Sequence, residues 1–206
     1  MIDEGYIKFT CRHTLDSPPD HAELAPLMRL RDELFSLGLI GVLPGGIGYG
    51  NISLRGPSGH SFIISASATG GIFPIQRQHF SWVRRFDIDE NRVYSTGPRP
   101  ASSESLSHGA VYKASSAARC VVHAHDAALF ERMPAWGAAV TPQTAAFGTP
   151  EMARAVQTLA RGRDEIALVM GGHADGILFA APGIEHVRRL IWEFCGRAHS
   201  CGILRV

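Results

Sequence analysis

Apolar and polar positions along the chain divide it into strands and helices. Residues 6–11 alternate aromatic or aliphatic with polar side chains and predict an edge strand, followed by a loop over 16–19. Asp20, with Glu23 three positions later, forms a capping-box pattern. Leu24, Leu27, Leu30, Leu34 and Leu37 then share one face of a helix that Gly38 ends. Residues 52–55 and 61–65 read as a hairpin turning at Gly56-Pro57-Ser58-Gly59, and 80–86 with 92–95 as another turning at Asp89-Glu90-Asn91. A helix is predicted from about 101 to 115, with Leu106, Ala110 and Val111 inward and Ser102 or Ser103 as its N-cap. The run Val121-Val122-His123-Ala124-His125 predicts a buried strand, and residues 127–132 a short helix. Residues 133–149 are loop-rich, and Pro150 stands at the first position of a helix reaching about 161. Strands over 166–170 and 177–180 precede a last helix opening at Pro182-Gly183-Ile184-Glu185, whose apolar stripe is Val187, Leu190, Ile191 and Phe194. The early strands are joined by short turns, so the sheet is expected to be largely antiparallel.

Composition narrows the possibilities. A chain of 206 residues with 45% hydrophobic content can bury a real core and reads as a single domain, 1–206, with 1–19 as an N-terminal edge strand and loop. Net charge is +1, charged residues make up 19%, and no basic run occurs, so nucleic acid is not an expected partner. No apolar stretch approaches the roughly 20 residues of a membrane span, and the N-terminus does not resemble a secretion signal. A cytoplasmic location without membrane association is the expectation. Four cysteines (Cys11, Cys120, Cys195, Cys201) are too sparse for a disulfide framework. Cys195, His199 and Cys201 offer a soft metal site, against the simpler reading of thiols on a terminal helix.

Candidate chemistry gathers around the central strand. Side chains at i and i+2 of a strand share a face, which sets the imidazoles of His123 and His125 side by side. Such a pair can supply two nitrogen ligands to a divalent metal, or can hydrogen-bond at a strand edge. Glu104 upstream and His173 downstream are further candidate groups, with His173 between glycines where it can reach back over the sheet. Glu104 falls in the first turn of its helix, where a carboxylate complements the dipole or serves as a metal ligand or acid/base. His108, four residues on, shares its helix face and is read as structural.

Two small-residue loops add possible ligand contacts. Pro44-Gly45-Gly46-Ile47-Gly48-Tyr49-Gly50-Asn51 lies between a helix and a strand, the reverse of the dinucleotide-binding order, and no Gly-Lys-Ser/Thr follows it. Its backbone can approach a ligand, with Asn51 presenting an amide. Ser65-Ala66-Ser67-Ala68-Thr69-Gly70-Gly71 is rich in hydroxyls and suits an anion, as do the open amides at the helix start beside Ser102 and Ser103.

Five segments, in order, resemble the class II aldolase/adducin family, typified by the fuculose-phosphate aldolases. Gly50-Asn51-Ile52-Ser53-Leu54-Arg55 is similar to the family's Gly-Asn-x-Ser-x-Arg, Thr69-Gly70 to its Thr-Gly loop, and Ser102-Ser103-Glu104 to its Ser-Ser-Glu. His123-Ala124-His125 resembles its His-x-His, and His173 lies where its third histidine is expected. The resemblance implies an α/β fold, a three-layer α/β/α arrangement with a mostly antiparallel central sheet, and a homotetramer. It implies that His123, His125 and His173 hold Zn²⁺, or another divalent ion such as Mn²⁺, Co²⁺, Fe²⁺ or Ni²⁺, and that Glu104 is the acid/base. Gly50, Asn51, Thr69, Gly70, Ser102 and Ser103 would hold the substrate and its phosphate. The implied activity is a metal-dependent lyase acting on a carbon–carbon bond of a phosphorylated sugar or keto acid through an enediolate. Dehydration or epimerisation of a sugar phosphate on the same metal is the alternative, and an adducin-like assembly module another. Two departures stand out. Residues 133–147 lack the proton-donating tyrosine of the family's aldolases and offer Trp136, Thr141, Gln143 and Thr144 instead, and the third-histidine segment reads Gly172-His173-Ala174-Asp175-Gly176 rather than His-His-Gly.

Overall fold

The computed structural model describes residues 8–59 and 61–200. Its elements in chain order are β1 (Thr10–Leu15), α1 (Leu24–Ser36), β2 (Gly41–Val42), β3 (Gly48–Tyr49), β4 (Asn51–Arg55), β5 (Phe62–Ser65), β6 (Phe80–Asp87) and β7 (Arg92–Gly97). They continue with α2 (Ser105–Ala114), β8 (Cys120–His125), α3 (Ala127–Arg132), β9 (Ala139–Val140), α4 (Pro150–Ala160), β10 (Ile166–Val169), β11 (Gly176–Ala181) and α5 (Ile184–Ser200). Nine strands form one sheet in the order β1-β7-β6-β5-β4-β8-β11-β10-β9, and β2 pairs with β3 separately. Only the outermost pairings, β1 with β7 and β9 with β10, are parallel. This is an α/β fold on a large, mostly antiparallel mixed sheet, as the short turns predict.

Alternation along the central strands divides the core in two. Cys120, Val122 and Ala124 of β8 join Ile52, Leu54, Ile177 and Phe179 in a cluster with apolar side chains of α1 and α5. Val121 joins Phe62, Ile64, Leu178 and Ala180 in a second cluster with α2 and α4. His123 and His125 have the parity of Val121 and therefore project toward the side of α2 and α4. Helix α2 is enclosed, with Ser105 through Tyr112 all buried.

Several local expectations are corrected. The edge strand begins at Thr10, so most of the stretch proposed at 6–11 lies outside the described residues. The capping box at α1 does not form: no side chain caps it, and Asp20 and Glu23 pair with Arg77 and Arg119. Leu37 lies beyond the last turn and is exposed, while Arg31 takes a buried place on the helix. Gly38 closes α1 at φ +73°, a conformation glycine adopts without Cβ strain. Neither Ser102 nor Ser103 caps α2. Its N-cap is Glu104, and Ser102 forms the turn before it, its Oγ accepting from the Glu104 amide and its carbonyl from the Ser105 amide. Thr149 caps α4 as a threonine before Pro150 should, its Oγ1 accepting from the Met152 amide. Among the described residues no helix is long and apolar enough to cross a membrane.

Candidate metal centre and substrate cleft

Three histidines from two elements converge at one end of the sheet. His123 is fully buried on β8, and His125 follows at the strand's end. His173 reaches them from the turn between β10 and β11, because β11 runs antiparallel beside β8 with Gly176 opposite His125. One ligand nitrogen from each ring lies within 4.8 Å of the others, and among the described residues this is the group of histidine, cysteine and carboxylate side chains that could hold a metal ion. Of the alternative cluster, Cys201 lies outside the described residues; burial pushes the Cys195 thiol up to about 11.

The geometry fits a divalent ion. His123 Nδ1 lies 3.1 Å from the Ile177 carbonyl oxygen, which can only accept, so Nδ1 carries the proton and Nε2 is left with a lone pair. A backbone carbonyl bonded to the outer nitrogen is a common way to orient a metal-binding imidazole. His123 Nε2 and His125 Nε2 are 3.0 Å apart. Two nitrogens on one tetrahedral zinc, each at about 2.0–2.1 Å, would lie roughly 3.3 Å apart.

Aromatic packing holds the rings. Phe147 stacks on His173 with centroids 4.4 Å apart, and Lys8 Nζ lies 3.8 Å from the Phe147 centroid. Tyr49 tilts against His125 at 5.4 Å while its hydroxyl donates to the Gly38 carbonyl. The His173 turn is docked onto residues 141–145: a Cβ on Gly171 would come within 2.3 Å of the Thr141 carbonyl, and one on Gly172 within 1.9 Å of Ala145's. The two glycines allow this close approach, and Thr141 Oγ1 accepts from the Gly171 amide.

Glu104 stands beside the cluster. It is 2% exposed; Ser107 Oγ donates to its Oε2 at 2.6 Å, and its Oε1 lies 3.9 Å from His173 Nδ1 with no hydrogen-bond partner among the described residues. His108 points elsewhere, Nδ1 to Ser53 Oγ at 2.7 Å, and burial pushes its pKa down to about 3, so it is a neutral core histidine.

A cleft opens next to Glu104, lined by Gly50, Asn51, Thr69, Gly70, Ser102 and Ser103, every other residue proposed from sequence to bind substrate. Asn51 faces His123 across the β4–β8 ladder, and its Oδ1 is buried without a hydrogen-bond partner among the described residues. Thr69 donates its hydroxyl to the Ala66 carbonyl, so toward a ligand it offers lone pairs and backbone. Of the four stand-ins for the missing tyrosine, Trp136 packs near Phe194 and Thr141 is committed to Gly171, whereas Gln143 and Thr144 are exposed.

Sequence reasoning missed Ser107, Tyr49 and Phe147 as neighbours of this site. Ser107, three residues after Glu104, was within reach of helical spacing. The other two depend on contacts between distant segments.

Comparison with known proteins places the chain. The family described as the Class II Aldolase and Adducin N-terminal domain matches residues 45–198. No curated protein sequence matches. Among solved structures, an L-fuculose 1-phosphate aldolase is similar at 18% identity, with 91% of this chain and 90% of that one covered and a TM-score of 0.62. YgbL from Escherichia coli is similar at 18% identity, with 88% of each chain covered and a TM-score of 0.61. L-fuculose-1-phosphate aldolase from Thermus thermophilus is similar at 21% identity, with 86% of this chain and 97% of that one covered and a TM-score of 0.55. These likenesses concern the fold, and the match over 45–198 shows that the chain belongs to the class II aldolase and adducin family.

Proposed function

We propose that the protein is a divalent-metal-dependent, class II aldolase-like lyase that cleaves or forms a carbon–carbon bond of a phosphorylated sugar or keto acid. The observation that carries this reading is the buried Glu104 carboxylate, whose Oε1 has no hydrogen-bond partner among the described residues and stands 3.9 Å from one of three clustered imidazoles at the edge of a polar cleft. Zn²⁺ suits a three-imidazole site, as do Mn²⁺, Co²⁺, Fe²⁺ and Ni²⁺. Held by neutral ligands, such an ion keeps its full charge and supplies a Lewis acid for the negative charge that develops beside a substrate carbonyl.

The chain's own residues do the rest. His123, fixed by the Ile177 carbonyl, presents Nε2 inward. Glu104 moves the proton to and from the substrate through Oε1, while Ser107 holds Oε2. Asn51 orients the oxygen on which charge builds. Gly50, Thr69, Gly70, Ser102 and Ser103 grip the distal phosphate with hydroxyls and amides, and so position the reacting carbons. The helices on both faces support a three-layer α/β/α arrangement, and family membership supports a homotetramer. The retained histidines and Glu104 favour catalysis over an adducin-like assembly role.

A second reading, dehydration or epimerisation at the same centre, is favoured by the lack of tyrosine in residues 133–147. The deciding experiment incubates zinc-loaded protein with a panel of ketose phosphates and keto-acid aldols, following aldehyde release, water loss and epimer formation. Aldehyde release by the parent, reduced on the order of a hundredfold or more in Glu104→Gln, supports the lyase. Product without aldehyde selects the second reading. No turnover on the whole panel by metal-loaded protein favours the assembly role.

A further inference from the structure

The substrate cleft poses an electrostatic problem for an anion. Its wall contains Asn51, Ser67, Thr69, Ser102, Ser103 and small residues, with no lysine, arginine or histidine, and its one ionisable group is the Glu104 carboxylate. A phosphate entering it meets a like charge and, on that wall, no facing cation.

Behind the wall, on α1, lies Arg31. It is 1% exposed, and its guanidinium is bonded to the Thr69–Ile72 turn. Nη2 donates to the Thr69 carbonyl at 2.8 Å and the Gly70 carbonyl at 2.7 Å, and Nη1 donates to the Ile72 carbonyl. Asp32 approaches Nη1 at 3.2 Å, but it is 22% exposed and also accepts from the Ile75 amide. In a trans peptide the N–H points opposite to the C=O. With the Thr69 and Gly70 carbonyls turned onto Arg31, the amides of Gly70 and Gly71 turn away from it. Gly70 lines the cleft, wedged so tightly between Gly41 and Tyr49 that a Cβ would lie 2.4 Å from the Gly41 carbonyl oxygen. The wall there is bare backbone, and a guanidinium buried behind it acts through a medium that screens less than water.

We propose that Arg31 is a positioning residue for phosphate: it sets the Thr69–Ile72 backbone with amides toward the cleft and supplies the positive charge that the wall lacks. This rests on the reading of the cleft as the phosphate-holding part of the active site. A lysine there would keep the charge but lack the fork that serves several carbonyls at once.

The test titrates inorganic phosphate calorimetrically into zinc-loaded parent, Arg31→Lys and Arg31→Met, with zinc affinity and thermal unfolding measured on each. The expected result is phosphate affinity at least tenfold weaker in Arg31→Met and intermediate in Arg31→Lys, with zinc affinity within about twofold of the parent. Parent-like phosphate affinity in folded Arg31→Met overturns the proposal; if that variant does not fold, parent-like affinity in Arg31→Lys does so. Parallel losses of zinc and phosphate affinity also overturn it, since Arg31 would then support the fold generally. A zinc-loaded parent that binds no phosphate overturns it together with the phosphate role of the cleft, and leaves the metal centre standing.

Discussion

Ser107 Oγ donates to Glu104 Oε2 at 2.6 Å, so that a hydroxyl on α2 fixes the carboxylate at that helix's own N-cap. The bond occupies one oxygen and leaves the other toward His173. Hydrogen bonds to charged groups contribute about 1.5–3 kcal/mol, which corresponds to tenfold or more in rate if the bond acts on the reacting carboxylate. Ser107→Ala is expected to lower kcat about tenfold with KM and zinc content unchanged, and Ser107→Thr to restore most of it. Steady-state kinetics on the substrate found by the panel, beside metal analysis, checks this.

The His173 turn depends on backbone contact. A Cβ on Gly172 would fall 1.9 Å from the Ala145 carbonyl oxygen, a contact that only movement of one loop can relieve. Gly172→Ala is expected to destabilise the fold by about 1–3 kcal/mol and to weaken zinc binding at least tenfold, because the shift carries His173 with it. Urea unfolding and competition with a zinc indicator measure the two effects. Gly183→Ala, where the nearest heavy atom would be His186 Nδ1 at 3.5 Å, is the control and should leave zinc affinity unchanged.

His108 gives the fold a sensitivity to acid. Burial pushes its pKa down to about 3 from an ordinary 6.5, and its Nδ1 is tied to Ser53. Between those pH values the unfolded chain binds a proton that the folded one excludes. Stability from this group is therefore complete above about pH 6.5 and is lost as pH falls toward 3, by roughly 1.4 kcal/mol per pH unit. From pH 7 to pH 5 the parent should lose about 2 kcal/mol more than His108→Gln in urea unfolding. Equal losses in the two proteins would show that His108 is not held neutral.

The sequence made local elements legible where a single segment carries its own signal. Helix α3 runs from Ala127 to Arg132 as read, and α4 starts at Pro150 behind its Thr149 cap. Signals that other segments compete for were misread. Glu23 and Asp20 satisfy the capping-box spacing, yet arginines brought from 96 and 57 residues away take their carboxylates. The two-residue β9 and the parallel seat of β1 beside β7 arise from pairing with distant strands, which no local pattern announces.

The candidate site divides in the same way. His123 and His125 were placed by strand parity, and Glu104 by its helix. The convergence of Asn51, Thr69 and Ser102 on one cleft was reached through the family resemblance, because nothing in their spacing brings three loops together. Arg31 escaped notice because an arginine inside a leucine-rich helix reads as surface. Only the fold shows that its guanidinium is bonded to the carbonyls of Thr69, Gly70 and Ile72.

The proposed function stands on His123, His125 and His173 holding a divalent metal beside Glu104. The first experiment is elemental analysis of protein purified without a histidine tag, reloaded with zinc and dialysed, beside a His123→Ala/His125→Ala variant. Close to one zinc per chain is expected in the parent and almost none in the folded variant. Folded parent that retains no zinc, or a variant that retains as much as the parent, would rule out a metal on these histidines.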